Sequence, residues 1–164
     1  MGYKSILVNL DIDGPAVPVV KASAGLAERF DMTVHLENED VCNIGGFAGL
    51  EEIVTRRPHP RLKSLPDIAN AWRAGQPPTS ADLARLLPHT DMLHFKDWSP
   101  VEKRFVALGE GEVPYRTILA DALTGHEGPL TFTIETHAAY DPANVTRRSV
   151  PGLRRLIDSL PLEA

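Results

Sequence analysis

Four short apolar segments of this chain each end in an ionisable side chain, and this repeated pattern restricts the possible folds more than any other feature. The segments are TVHLENED, LKSLPDIAN, DMLHFKDW and LTFTIETH, and the side chains are Glu37, Asp67, His94 and Glu135. In folds with parallel strands, functional side chains gather where strands end and the following loops begin. We therefore expect these four residues to lie at one edge of a sheet and to form one site.

The segments between these strands have helical periodicity, which predicts a single α/β domain over residues 1–164. A chain of this length can bury a substantial core. Thr79 and Asp82 have the spacing of a helix capping box. The predicted strands are 4–11, 32–38, 61–68, 91–98 and 130–136. The predicted helices are 15–30, 47–57, 83–87, 114–124 and 142–160, the last with an interruption near Pro151.

Side-chain parity places the candidates on a common kind of strand face, because residues two apart on a strand point the same way. In three of the four strands the candidate lies on the more polar face and the opposite face is apolar. The residues that share these faces are Thr33 and His35 with Glu37, Met92 and Lys96 with His94, and Thr131 and Thr133 with Glu135. We expect the apolar faces to pack on helices and the polar faces to line an interior.

Two glutamates, one aspartate and one histidine form a ligand set that suits Mn²⁺, Mg²⁺ or Co²⁺ and does not suit a structural zinc. A single carboxylate at a strand end is more often a helix cap or a turn former, and Asp67 alone could have that role. Four such residues on consecutive strands favour a shared site for a divalent metal.

Composition and charge exclude several classes of function. The net charge is -5 and no stretch has a dense run of Lys or Arg, so we expect no nucleic-acid partner. No apolar run approaches the length of a membrane span, and the N-terminus leads into a strand with no signal peptide. The single Cys42 excludes an internal disulfide and suits a reducing compartment. These features predict a cytoplasmic protein without a membrane partner.

From about Val34 to Ile157 the chain resembles the C-terminal half of the xylose-isomerase-like sugar isomerase and epimerase barrels. The motifs HLEN, PDIAN, MLHFKD, GEGEVPYRTIL and FTIETH stand in that family's order, and Lys96 and Asp97 match its Lys-Asp pair. The resemblance implies that the divalent-metal ligands on the last four strands of an eight-stranded barrel are Glu37, Asp67, His94 and Glu135. It also implies that Glu37 and Glu135 form an acid/base pair that moves a proton next to a carbonyl.

Residues 1–31 resemble instead the opening strand and helix of the universal stress proteins, whose architecture is flavodoxin-like. Asp11 matches their acidic residue near the nucleotide, although the late Gly-rich phosphate loop of that family is absent. Together the two resemblances imply a chimera of deliberate construction. It would join a stress-protein-like unit over about 1–33 to a half-barrel segment over about 34–160.

The fold expected of such a chimera is an open, flavodoxin-like sheet of five parallel strands with helices on both faces, in which helix 15–30 covers the interior face. The alternative is a half-barrel dimer, in which two copies cover each other's exposed faces. Because four barrel strands and their substrate contacts are missing, we expect a chimeric scaffold without efficient catalysis, in which metal binding is weak or absent. The other hypotheses are a metal-dependent isomerase or epimerase acting on a small sugar, and a small module that binds metal or nucleotide.

Overall fold

The computed structural model describes residues 5–8, 16–56 and 58–161, and for residues 5–8, 16 and 17 it describes the backbone alone. The predicted strand 4–11 is therefore seen only in part, and Asp11 lies outside the described residues. The strands are β1 Ser5–Val8, β2 Thr33–Glu37, β3 Leu62–Leu65, β4 Met92–Phe95, β5 Asp97–Ser99, β6 Arg104–Val106 and β7 Thr131–Ile134.

Six α-helices lie between or after these strands in the described residues, which confirms the α/β class. They are α1 Ala16–Phe30, α2 Phe47–Arg56, α3 Ile68–Arg73, α4 Ser80–Leu86, α5 Tyr115–Ala122 and α6 Pro142–Asp158. A short 3-10 helix, Leu87–His89, follows α4. In the part of the chain that the structure describes, none of the helices is both long enough and apolar enough to cross a membrane.

Five of the strands run parallel and neighbour one another in chain order. β2 pairs with β1 on one side and with β3 on the other, and β4 pairs with β7. β3 joins β4 through two isolated parallel bridges, Ser64 to Thr90 and Asp67 to His94. The order is therefore β1-β2-β3-β4-β7, which is the order of consecutive strands in a barrel and fits a half barrel.

The prediction of a flavodoxin-like sheet is wrong. In that fold the first strand lies inside the sheet, between the second and the third. Here β1 pairs with β2, and β3 pairs with the other edge of β2, so the first strand lies outside the second.

The expected placement of α1 over the interior face is also wrong, because α1 lies on the same face as α2. That face of β2 carries Val34 and Leu36, which alternate with Glu37. A cavity between the two helices and the strands has in its lining Val20, Ala24, Ala27, Val34, Leu36, Ile53 and Leu62. Since neighbouring residues of a strand point to opposite faces, α1 packs on the side away from Glu37.

The hydrophobic core lies on this helix face of the strands. Buried apolar side chains of α2, α4 and α5 pack there with Leu36, Leu93 and Phe95. The register pairs Leu93 with Phe132 and His94 with Thr133. The predicted separation into an apolar and a polar strand face is thus confirmed, and it directs the candidate residues away from the core.

Several element boundaries differ from the predicted ones for local reasons. Strand 61–68 ends at Leu65, since Pro66 has no N–H for the ladder and Asp67 caps the unpredicted helix α3. Strand 91–98 divides at Lys96 into β4 and β5. β5 then pairs antiparallel with the unpredicted strand β6.

The two helix features that the sequence predicted have opposite outcomes. The capping box of α4 is confirmed, since the Thr79 hydroxyl accepts the Asp82 N–H and the Asp82 carboxylate accepts the Thr79 N–H. The predicted interruption near Pro151 is absent, because α6 continues through this residue as one helix.

Candidate metal centre

The structure brings the four candidate residues into one cluster. Each offers one nitrogen or oxygen atom, and these atoms all lie within 4.8 Å of one another; the residues are Glu37, Asp67, His94 and Glu135. Three of the side chains are buried, and that of Glu135 is 22% exposed. The parallel strands β2, β3, β4 and β7 have their carboxyl ends at one edge, which explains how residues distant in sequence meet.

His94 lies between two carboxylates of the cluster. Its Nδ1 atom is 2.8 Å from Oε1 of Glu37 and 3.7 Å from Oε2 of Glu135. Burial by itself would lower the pKa of His94, but the hydrogen bond to Glu37 and the charges of Glu37, Glu135 and Asp67 raise it above its ordinary value. The imidazole therefore binds a proton readily at the point where the carboxylates converge.

Asp67 is held by its backbone and by one of its carboxylate oxygens. The Asn38 side chain donates to the carbonyl oxygen of Asp67 at 2.9 Å and accepts the N–H of Asp67 at 2.8 Å. Oδ1 of Asp67 accepts the N–H of Asn70 at 2.8 Å and so caps α3. The capping role considered for Asp67 is present, and Oδ2 of the same carboxylate remains directed at the cluster.

Lys96 links two carboxylates of the cluster. Its Nζ atom lies 3.0 Å from Oδ2 of Asp67 and donates a short hydrogen bond to Oε2 of Glu135. Burial would lower the pKa of Lys96, but these two carboxylates raise it. Burial would likewise raise the pKa of Glu135, but the Lys96 ammonium lowers it. The ion pair therefore favours the charged forms of Lys96 and Glu135.

The cluster has the chemistry of a divalent-metal site. Among the described residues, Oε2 of Glu37 is buried and accepts no hydrogen bond. An unpaired buried carboxylate oxygen costs free energy, which a bound cation would offset. Carboxylate oxygens with one imidazole nitrogen are ligands for Mg²⁺, Mn²⁺ or Co²⁺. The residues present thus fit a divalent metal.

Sequence reasoning missed a second acidic pair, Glu39 and Asp40, that directly follows β2. Oε2 of Glu39 is 3.3 Å from Nδ2 of Asn70, and Oδ2 of Asp40 is 3.1 Å from Nε of Arg73. Burial and the hydrogen bond with Asp40 raise the pKa of Glu39 to about 7. The acidic run in HLENED is the signal that could have found this pair.

A cavity of about 390 Å³ lies beside the cluster, with Arg73, Phe105, Thr136 and His137 in its lining. Nε2 of His137 is 3.4 Å from Oε1 of Glu135. The ring of Phe105 lies 4.9 Å from Nζ of Lys96. A small molecule in this cavity would therefore approach the cluster through Glu135, the most exposed of its four members.

Asp97 fixes a loop and is not part of the cluster. Its carboxylate accepts backbone N–H bonds from Trp98, Gly109 and Val113. The loop leads into α5, whose Tyr115 hydroxyl donates to the carbonyl oxygen of Lys96. Asp97 therefore positions the backbone that carries Lys96.

Three solved structures illustrate the similarity of fold. A xylose isomerase domain protein from Planctomyces limnophilus is 25% identical, with a TM-score of 0.67 over 94% of this chain and 59% of its own. A xylose isomerase-like TIM barrel protein from Mycobacterium smegmatis, solved with magnesium, is 24% identical, with a TM-score of 0.60 over 94% and 55%. A D-allulose 3-epimerase from Methylomonas sp. is 14% identical, with a TM-score of 0.67 over 96% and 63%.

The chain thus spans less than two-thirds of the length of each of these proteins. A comparison with curated proteins gives no match.

The family model of the xylose isomerase-like TIM barrel matches residues 16–156. This match begins at the first residue of α1 and includes the junction expected near residues 31–34. The comparisons therefore give no support to a universal stress protein unit or to a chimera. The chain belongs to the xylose isomerase-like TIM barrel family.

Proposed function

We propose that the cluster binds a divalent metal and catalyses proton transfer next to the carbonyl of a small sugar, as an isomerase or epimerase. The observation that carries this proposal is the convergence of four potential ligands, with atoms within 4.8 Å of one another, at the carboxyl ends of parallel strands. Membership of the family and the name of the D-allulose 3-epimerase support the reaction class. The magnesium in the Mycobacterium smegmatis structure supports a divalent ion.

The four residues would hold the metal, and the metal when bound would polarise the oxygens of the sugar. The acid/base pair proposed for the proton transfer is Glu37 and Glu135. They differ in access, since the Glu37 side chain is fully buried, whereas that of Glu135 is 22% exposed and contacts His137, which lines the cavity beside the cluster. Glu135 is therefore the more accessible of the two to a substrate, and Glu37 could contact the substrate only from within the cluster.

The charges around Glu135 suit a base that is ionised at neutral pH. The Lys96 ammonium lowers the pKa of Glu135 against the effect of burial. An ionised carboxylate can accept a proton, and the same group can return it to the sugar. Lys96 and His137 contact the two oxygens of Glu135 and position this carboxylate.

The proposal can be tested by proton exchange in heavy water. The full chain, freed of metal and then supplied with Mn²⁺, Mg²⁺ or Co²⁺, would be incubated with a set of small ketoses and aldoses. We expect deuterium at the carbon next to the carbonyl, detected by NMR, and its loss in Glu135→Gln. The matched control is Glu52→Gln, at an exposed position of α2, which should exchange at the wild-type rate.

Exchange that needs no added metal, or that persists in Glu135→Gln, would contradict the proposed mechanism. No exchange with any sugar, in a preparation shown to bind metal, would instead favour the scaffold hypothesis. That outcome would fit a chain that spans 59% of the Planctomyces limnophilus protein.

The half-barrel dimer remains a prediction. In the described residues β1 pairs only with β2, and β7 pairs only with β4, so each has a free edge. Free strand edges can pair with another chain. Sedimentation equilibrium of the full chain should then give the mass of two copies, and a mass of one copy at all concentrations would contradict this prediction.

A further inference from the structure

Lys96 contacts Asp67 as well as Glu135, and the proposed proton transfer uses only its contact with Glu135. Its side chain is only 1% exposed, and its Nζ atom contacts Oδ2 of Asp67 and Oε2 of Glu135. Both oxygens belong to residues of the four-residue cluster. A buried lysine is rare unless it is paired, and here both of its partners are potential metal ligands.

The other oxygens of these two carboxylates already contact Asn70 and His137, so the ammonium and a divalent ion would compete for Oδ2 and Oε2. Two positive charges close to the same carboxylates repel each other strongly in a buried site, where water screens them poorly. A metal that coordinates Asp67 and Glu135 must therefore displace Nζ from at least one of them. The attraction between Lys96 and the two carboxylates opposes metal binding.

The Lys96 ammonium already lies beside an aromatic ring. The ring of Phe105 lies 4.9 Å from Nζ, and this ring lines the cavity beside Glu135. A cation over an aromatic face is stabilised by the ring quadrupole. A small rotation of the Lys96 side chain would thus keep its charge near Phe105.

Charge balance favours a position of the Lys96 ammonium close to the cluster after the metal binds. The cluster contains three carboxylates, those of Glu37, Asp67 and Glu135. A divalent ion with one ammonium cancels three negative charges when His94 is neutral. Without the metal, the same ammonium reduces the repulsion between carboxylates that would otherwise lie close together and uncompensated.

We propose that Lys96 is an internal counter-cation that holds Asp67 and Glu135 in place when no metal is bound and competes with divalent ions for their oxygens. This inference rests on the proposed metal site. Lys96 would hold the carboxylates of the site in position before the ion binds. It would also lower the affinity of the site for that ion.

The test measures the Kd for Mn²⁺ in the full metal-free chain by titration calorimetry. Lys96→Met, which removes the charge and keeps a long side chain, should lower the Kd at least tenfold. Lys96→Arg, which keeps the charge, should bind Mn²⁺ more weakly than Lys96→Met does. Lys21→Met, which removes an exposed charge on α1, is the matched control and should stay within twofold.

A second measurement tests the proposal if Lys96→Met is too unstable without metal for calorimetric titration. The melting temperature of metal-free Lys96→Met should lie below that of wild type, and saturating Mn²⁺ should raise it by more than it raises wild type. Equal or weaker Mn²⁺ binding by Lys96→Met, with wild type still binding, would overturn the role of Lys96 and leave the proposed metal site standing. If neither protein binds Mn²⁺, both proposals fail.

Discussion

Oε1 of Glu37 and Nδ1 of His94 lie 2.8 Å apart, although 57 positions separate the two residues in the chain. β3 lies between their strands, and Asp67, just beyond its end, bridges to His94. The contact therefore depends on the consecutive order of β2, β3 and β4. Because a barrel places its strands in this order, the cluster is a consequence of the barrel topology.

Mn²⁺ should raise the melting temperature of the metal-free protein, because an ion that binds only the folded state stabilises it by mass action. At one hundred times the Kd the gain is about 2.7 kcal/mol, or about 5–10 °C for a chain of this size. His94→Gln should lose most of this shift, since it removes one of the four potential ligands.

Differential scanning calorimetry with and without Mn²⁺ measures this effect. His59→Gln is the control, because His59 is exposed and borders the cavity on the opposite, helix-covered face. Equal shifts in His94→Gln and wild type would show that the metal binds elsewhere.

The sequence predicted the members of the cluster because the signals are local. Strand periodicity identifies the ends at Glu37, His94 and Glu135, and parity separates the polar from the apolar face. The order of the strands is not a local property. The flavodoxin-like prediction followed from the first 31 residues, whereas the structure pairs β1 with β2 at the edge of the sheet.

Glu39 should make the stability of the protein depend on pH. Its pKa is raised from 4.5 to about 7 in the folded protein. A group whose pKa is higher when folded adds stability below its unfolded pKa, and this stability is lost as the pH rises through the folded pKa. The loss therefore occurs between about pH 4.5 and 7, and it corresponds to at most about 3 kcal/mol.

Glu39→Gln should remove this pH dependence, so that the variant is the more stable protein at pH 8. Urea unfolding at pH 4.5 and pH 8 gives the two free energies for each protein. Glu52→Gln on α2 is exposed and should behave as wild type does. The interpretation fails if Glu39→Gln loses as much stability as wild type between the two pH values.

Asp97→Asn should destabilise the protein by about 1–3 kcal/mol, because an amide nitrogen would replace an oxygen that accepts backbone N–H bonds. Oδ2 accepts from Gly109, and Oδ1 accepts from Trp98 and Val113. Urea unfolding measures the change, with exposed Asp121→Asn as the control. Faster hydrogen exchange confined to the Gly109–Val113 loop would locate the effect, whereas an unchanged exchange rate there would contradict it.

Lys96 shows why part of the site could not be predicted. Parity on its strand places Lys96 on the face of His94, and the resemblance matches it to a family motif. Its partners Asp67 and Glu135 follow the ends of the two neighbouring strands, so the ion pairs appear only once the strand order is known. The strand β6 and the division of strand 91–98 into β4 and β5 were missed for another reason, since three residues are too few to show a period.

Gly152 is a position in α6 where alanine should be destabilising. A Cβ atom there would lie 1.9 Å from the carbonyl oxygen of Leu108. The N–H of Leu108 donates to Oγ of Ser149 at 3.1 Å, so this loop cannot move away from the helix without losing a buried hydrogen bond. Alanine gains about 1 kcal/mol in helix propensity, but the clash with backbone is larger, and we expect a net loss of about 1–3 kcal/mol.

Gly25→Ala in α1 separates the two effects, because it has the same gain in propensity and no neighbouring atom within 4 Å of the added Cβ. It should stabilise the protein by about 0.5–1 kcal/mol. Urea unfolding of both variants under one set of conditions therefore gives changes of opposite sign. If Gly152→Ala were stabilising as well, the close approach of α6 to the Leu108 carbonyl would not exist in solution, and the loop that Asp97 fixes would be free to move away from α6.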